Sequence, residues 1–315
     1  MSLEILGTYE GFGQVNVYNG HTEVKSMLAD YHIHSEFSDD SGEPMENQIE
    51  RAIELGFDEI CFTDHVDYGI KKDWSEGNIQ WRAGDGMSSP DDPSAEPLAN
   101  VDYPAYFEKL HRMRKEYKGR IVIKQGLEFG IQSITVDKYE ALYNTYRDEL
   151  DFVLFSMHQV DNKEFWTQDF QRGKTQQEYN EQYYKEILKT MKMFKHYSVL
   201  AHLDLLVRYD KQGVYPFEKV EDIIAEILKL AIADGKGIEI NTSSWHYGLA
   251  DTQPSRAVLK LYKDLGGKII TIGSDGHTVK YLGDHIKDAR AILKNEIGMD
   301  QLCTFDHMVP IFHTI

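Results

Sequence analysis

Only two cysteines, Cys61 and Cys303, occur in 315 residues. They are too few and too far apart for a disulfide framework, so the expected compartment is a reducing cytosol. Cys61 falls inside an apolar run, where a buried thiol is the expectation. No apolar stretch approaches the roughly 18 residues that a membrane span requires, so no membrane partner is expected. The N-terminus lacks a basic region followed by an apolar core, and Met1 to Leu3 read as an expression remnant. Basic charge is scarce as well: 34 Lys and Arg against 52 Asp and Glu give a formal charge of −18. That balance opposes adhesion to phosphate backbones and argues against a general nucleic-acid binder. Carboxylates that sit on divalent cations would offset part of the excess. No internal repeat, low-complexity tail or interdomain linker is visible, and residues 1–315 read as one domain of the α/β barrel size.

What the chain does have is seven short apolar runs, each ending on polar and mostly metal-type residues. They are LADYHIH to His32 and His34, EICFTDH to Asp64 and His65, IVIKQGLE to Glu128, and FVLFSMH to His158. VLAHLD to His202 and Asp204, IEINTS with Asn241, and IITIGSDGH to Asp275 and His277 complete the set. Runs of this length, rich in Val, Ile and Phe, read as buried parallel strands. Helical periodicity lies between them at Met45 to Leu55, Tyr103 to Tyr117, Phe217 to Ala233 and Ser255 to Leu265, with a Tyr-rich helical insert from Glu164 to Lys195. Such alternation predicts right-handed crossovers and a parallel sheet, with the chemistry at the strand C-termini as in barrel enzymes. The stretch around 66–104, crowded with Gly, Asp, Ser and Pro, reads as an inserted loop or lid over the mouth.

His32 and His34 alternate with Ile33, so on a strand both imidazoles face one side. Asp275 and His277 repeat that spacing at the last strand. With His65, Glu128, His158 and His202 at other strand ends, selective placement points to metal binding. Nitrogen and carboxylate donors together suit Zn²⁺, Mn²⁺ or Fe²⁺, and so many ligands exceed what one ion can use. The histidines His21, His111, His196, His246, His285, His307 and His313 do not share the placement and read as structural or surface residues.

The set HIH, TDH, GLE, SMH, AHLD and GSDGH, in this order, resembles the polymerase-and-histidinol-phosphatase (PHP) family. The resemblance implies an α/β fold, a single distorted (β/α)7 barrel akin to amidohydrolases, and three divalent transition-metal ions. Carried over, its ligands are His32, His34, His65, Glu128, His158, His202, Asp275 and His277, with Asp40 as the ninth and Asp39 as the fallback. Within the family the segments HSEFSDD, HLDLLVRY and INTS are most similar to the members that hydrolyse L-histidinol phosphate in histidine biosynthesis. The alternative is an esterase acting on a nucleotide or oligonucleotide; a non-catalytic zinc module is disfavoured, since a closed structural site needs four ligands.

The expected chemistry is attack on phosphorus by water deprotonated between two ions, whose pKa can fall to about 7. Arg208 is a candidate catalytic and substrate-binding clamp on the phosphate, against the alternative of a surface Arg paired with Asp210 or Glu218. Asp64 is a candidate to orient a ligand or relay a proton, and Asp204 is equally ambiguous. Glu36, Asp67 and Asp161 are candidates for the substrate amine. Trp74, Trp81, Trp166 and Trp245 could stack on an imidazole or merely pack loops.

Overall fold

Each apolar run carries a strand in the computed structural model, which describes residues 15–18, 21–24, 27–84 and 86–315. Met1 to Leu3 and the side chain of His21 lie outside the described residues. The strands are β1 (Ala29–Ile33), β2 (Glu59–Phe62), β3 (Val122–Gly130), β4 (Phe152–Ser156), β5 (Val199–Leu200), β6 (Gly237–Asn241) and β7 (Ile270–Gly273). Nearly every residue in them is buried, which is why they read as continuous apolar runs rather than alternating ones. They pair in parallel in the order β7-β6-β5-β4-β3-β2-β1. Beyond β7 the chain returns to β1: Asp275 N donates to His32 O at 2.8 Å and His34 N to Gly276 O at 3.1 Å. These bonds make the sheet a nearly closed barrel and set two donor pairs side by side.

A helix follows every strand: α1 (Met45–Leu55), α2 (Tyr103–Glu116), α3 (Val136–Tyr146), α4 (Gln176–Met193), α5 (Glu221–Ala233), α6 (Arg256–Asp264) and α7 (Ile286–Ile292). Gly56 ends α1 in the left-handed region at φ 80°, where a side chain would be strained. The helical reading from Glu164 is too long. Glu164 lies in a short strand, Lys163–Glu164, residues 165–173 are turns, and α4 starts at Gln176, where Thr175 and Glu178 form a reciprocal capping box that satisfies the free amides. Phe217 to Ala233 likewise splits into a 3-10 turn, Phe217–Lys219, and α5.

The insert holds more structure than its composition suggests. Trp81–Ala83, Gly86–Ser88 and Glu96–Pro97 form a small antiparallel sheet. At the opposite end of the barrel a C-terminal hairpin, Gln301–Asp306 with Val309–Thr314, packs Cys303 and Phe305 against Tyr31, Cys61 and Phe152.

Candidate metal centre

The strand ends bring all nine expected ligands together. Glu128, at the centre, lies 3.2 Å from His32 Nε2, 3.5 Å from His34 Nε2 and 3.0 Å from His65 Nδ1 through Oε2. Its Oε1 lies 3.1 Å from His158 Nε2 and 2.9 Å from His202 Nε2. Asp275 Oδ1 is 3.3 Å from His34 Nε2, and Asp40 Oδ2 is 3.5 Å from His65 Nε2 and 3.3 Å from His277 Nε2. Asp39, the fallback, is turned away onto Lys71 at 2.5 Å. Donor atoms converge in three overlapping groups: His32, His34 and Glu128; His34, His65 and His277; and His65, Glu128 and His158.

The rings are aimed from behind. Glu239 takes His32 Nδ1 at 2.7 Å, Asp67 takes His158 Nδ1 at 2.7 Å, and Ser38 Oγ meets His34 Nδ1 at 3.1 Å. Partners on the far nitrogens fix the tautomer and leave Nε2 as the lone-pair donor. Two of the expected ligands also carry backbone conformations rare for a side-chain residue, His202 at φ 25° and Asp275 at φ 56°. Such strain costs about 1–3 kcal/mol per residue and concentrates at working sites.

Six polar atoms here are buried with no hydrogen-bond partner: His32 Nε2, His34 Nε2, His65 Nδ1, Glu128 Oε2, His202 Nδ1 and His277 Nε2. A buried polar atom left without a partner costs about 1–3 kcal/mol. Cations held between the imidazole nitrogens and Glu128 would remove that cost. Burial pushes the Glu128 and Asp275 carboxyls up, but the surrounding imidazoles outweigh it and hold both well below the usual range. Ionised oxygen beside imidazole nitrogen is the donor set for divalent transition metals.

Above the donors opens a cavity of about 480 Å³, walled on one side by Asp67, Ile70, Lys71, Arg82 and Glu96 from the insert. Arg208 lies on its wall with a side chain only 5% exposed. Its Nη2 donates to Ser243 Oγ at 2.7 Å and Gln253 Oε1 at 2.9 Å, while Nη1 lies 3.4 Å from Asp275 Oδ2. The surface pairing with Asp210 or Glu218 is therefore not what the structure shows: Asp210 bonds Tyr179 instead.

Asp64 is fully buried, and its carboxylate accepts from Ser35 N at 2.7 Å and Ser38 Oγ at 2.8 Å. It lies behind His34 and is not part of the cavity wall. Asp204 departs from the strand reading, because β5 stops at Leu200 and a 3-10 turn, Leu205–Tyr209, follows. Asp204 accepts from Ser255 N, and burial pushes its carboxyl up to about 7.

Of the amine candidates, Glu36 caps α1 at Met45 N and pairs with Lys109, while Asp161 is not on the wall. Asp67 reaches the wall but is committed to His158 and Lys71. Trp166 is the one tryptophan of the four on the wall, with the Arg82 guanidinium 4.7 Å from its ring centre. His246, read from sequence as structural or surface, also lines the cavity and stacks on Tyr281 at 4.3 Å. Glu239 was not singled out in the sequence; its one signal is a carboxylate inside the apolar run IEIN.

Residues 30–243 match the PHP domain family. A histidinol-phosphatase of Lactococcus lactis subsp. lactis is 31% identical over 287 residues, 89% of this chain and 94% of that protein. A histidinol-phosphatase of Bacillus subtilis is 22% identical over 230 residues, 68% of this chain and 80% of that protein. The crystal structure of histidinol phosphate phosphatase from Lactococcus lactis, complexed with zinc, L-histidinol and phosphate, is similar over 90% of this chain and 98% of its own. Its TM-score is 0.73 at 30% identity. A putative histidinol phosphatase from Listeria monocytogenes shares the fold, with a TM-score of 0.65 at 19% identity over 82% of this chain and 99% of its own.

Proposed function

The chain belongs to the PHP domain family, and from that premise we propose that it hydrolyses L-histidinol phosphate to L-histidinol and phosphate, a step of histidine biosynthesis. The observation that carries the reading is the likeness, over 90% of the chain, to an enzyme whose structure holds zinc, L-histidinol and phosphate. The donors fit three divalent ions of the Zn²⁺, Mn²⁺ or Fe²⁺ type: three groups share His34, His65 and Glu128, and Asp40, His202 and Asp275 complete the shell. When bound, such ions supply a nucleophile from water near neutral pH and a cationic surface for the phosphate oxygens.

The chain's own groups do the rest. Glu239, Asp67 and Ser38 hold imidazoles in place, and Asp64 acts through Ser35 and Ser38 as a positioning residue. Arg208, anchored by Ser243 and Gln253, presents Nη1 to a phosphate oxygen with no reorganisation at the moment of reaction. The insert around 66–104 walls the mouth and limits water. Two free buried cysteines accord with a cytosolic enzyme.

Phosphate release from a panel of phosphomonoesters tests the reading. L-Histidinol phosphate should give the highest kcat/KM, and a chelator should abolish turnover. Faster turnover of nucleotides or a short oligonucleotide would move the protein to another substrate class.

A further inference from the structure

L-Histidinol phosphate, the substrate on which this inference rests, carries an ammonium on the carbon next to its phosphorylated CH2. Bond lengths keep that cation within about 5 Å of phosphorus. With the phosphate at the donor cluster, the ammonium therefore meets the cavity wall close by. Leaving water, it needs an anionic partner there.

Most carboxylates on the wall are already committed. Lys71 takes Asp39 at 2.5 Å and Asp67 at 2.9 Å, and Arg82 takes Glu164 at 2.8 Å. Asp40, Glu128 and Asp275 lie among the imidazoles of the donor cluster. Glu96 is left. It lines the cavity, and among the described residues its side chain has neither a hydrogen bond nor an ion pair. The strand Glu96–Pro97 holds it in register with Arg82 on the insert's small sheet, so its place on the wall is built rather than incidental. Its side chain is exposed to the cavity mouth, and burial of part of it together with the nearby Asp39 and Asp40 carboxylates pushes its carboxyl up against the lowering effect of Arg82 and Lys71. Of the three residues read from the sequence as amine candidates, Glu36 and Asp161 are not on this wall and Asp67 is committed, while Glu96 was not among them.

We infer that Glu96 receives the substrate's ammonium, and that through it the insert selects phosphomonoesters bearing an amine beside the ester. The test compares L-histidinol phosphate with 3-(imidazol-4-yl)propyl phosphate, the same ester without the amine, on the metal-loaded protein. The wild type should favour the amine by roughly ten- to hundredfold in kcat/KM, the usual worth of a charge-assisted hydrogen bond. Glu96→Gln should bring that ratio close to one, and Glu96→Asp should leave it in between. A wild-type ratio near one, or a wild-type ratio preserved in Glu96→Gln, overturns the assignment while leaving the phosphatase reading intact. If Glu96→Gln cannot be assayed, an unchanged ratio in Glu96→Asp counts against it equally. Turnover of p-nitrophenyl phosphate with neither imidazole ester would instead overturn the substrate reading, and the assignment would fall with it.

Discussion

Arg208 shows what one residue contributes and how much of it the sequence reveals. Its place in HLDLLVRY, after the fifth strand, suggested a phosphate clamp, but the anchors Ser243 and Gln253 come 35 and 45 residues later and could not be read from spacing. If Nη1 grips the phosphate, Arg208→Ala should keep its metal and lose about 1.5–3 kcal/mol of transition-state stabilisation, roughly ten- to hundredfold in kcat/KM. Arg208→Lys should recover only part, since an ammonium lacks the planar fork. Steady-state kinetics with metal analysis decides it; wild-type kcat/KM for the Ala variant would remove Arg208 from the site. Eight of the nine metal-type residues were legible because they close apolar runs, whereas Asp40 came only from the family resemblance. Glu239 was not, because its partner His32 is 207 residues away. His246 was missed because it stands five residues past the end of β6 at Asn241, in a loop whose path the sequence does not give.

At the scale of elements, all seven strands were legible, because parallel strands buried on both faces have a continuous apolar composition. The insert's sheet was not, since its short half-exposed strands carry no apolar period and Gly and Pro mask them. Nor were α3, α7 and the C-terminal hairpin singled out in the sequence. The junctions between strand and loop set the ligand geometry most finely. Gly130 ends β3 where a Cβ would stand 1.8 Å from Asp67 Oδ1 and 2.8 Å from His158 Nδ1. Gly130→Ala should therefore push Asp67 off His158 and weaken metal binding by about 10- to 100-fold, the usual effect of losing a carboxylate behind a metal-bound histidine. Calorimetric titration of the stripped variant with Zn²⁺ checks this, and wild-type affinity would show that Asp67 does not orient His158.

For the whole molecule, the two ends of the barrel behave differently. The C-terminal end gathers charge for ligands, while at the other end Glu59 is buried beneath the terminal hairpin beside Tyr31. Burial raises its carboxyl from 4.5 to about 7, against the lowering effect of the Tyr31 hydrogen bond and Lys124. Its folded pKa lies above its unfolded one, so the folded state binds more protons between pH 4.5 and 7, and this contribution to stability falls as pH rises through that window. Glu59→Gln should match the wild type near pH 4.5 and exceed it by about 1–3 kcal/mol above pH 7; denaturant unfolding at both pH values measures it, and a pH-independent difference would contradict it. The acidic balance that argued against nucleic acid finds part of its explanation at the opposite end, where Asp40, Glu128 and Asp275 are gathered among imidazoles. The most direct measurement is metal add-back to the chelator-stripped protein, with bound metal and phosphate release from L-histidinol phosphate followed together. Activity should be absent in the stripped protein and reach its plateau near three ions per chain, as about nine donors require more than one ion. Full activity at one ion or fewer would contradict the assignment of these strand-end residues to a shared catalytic metal centre.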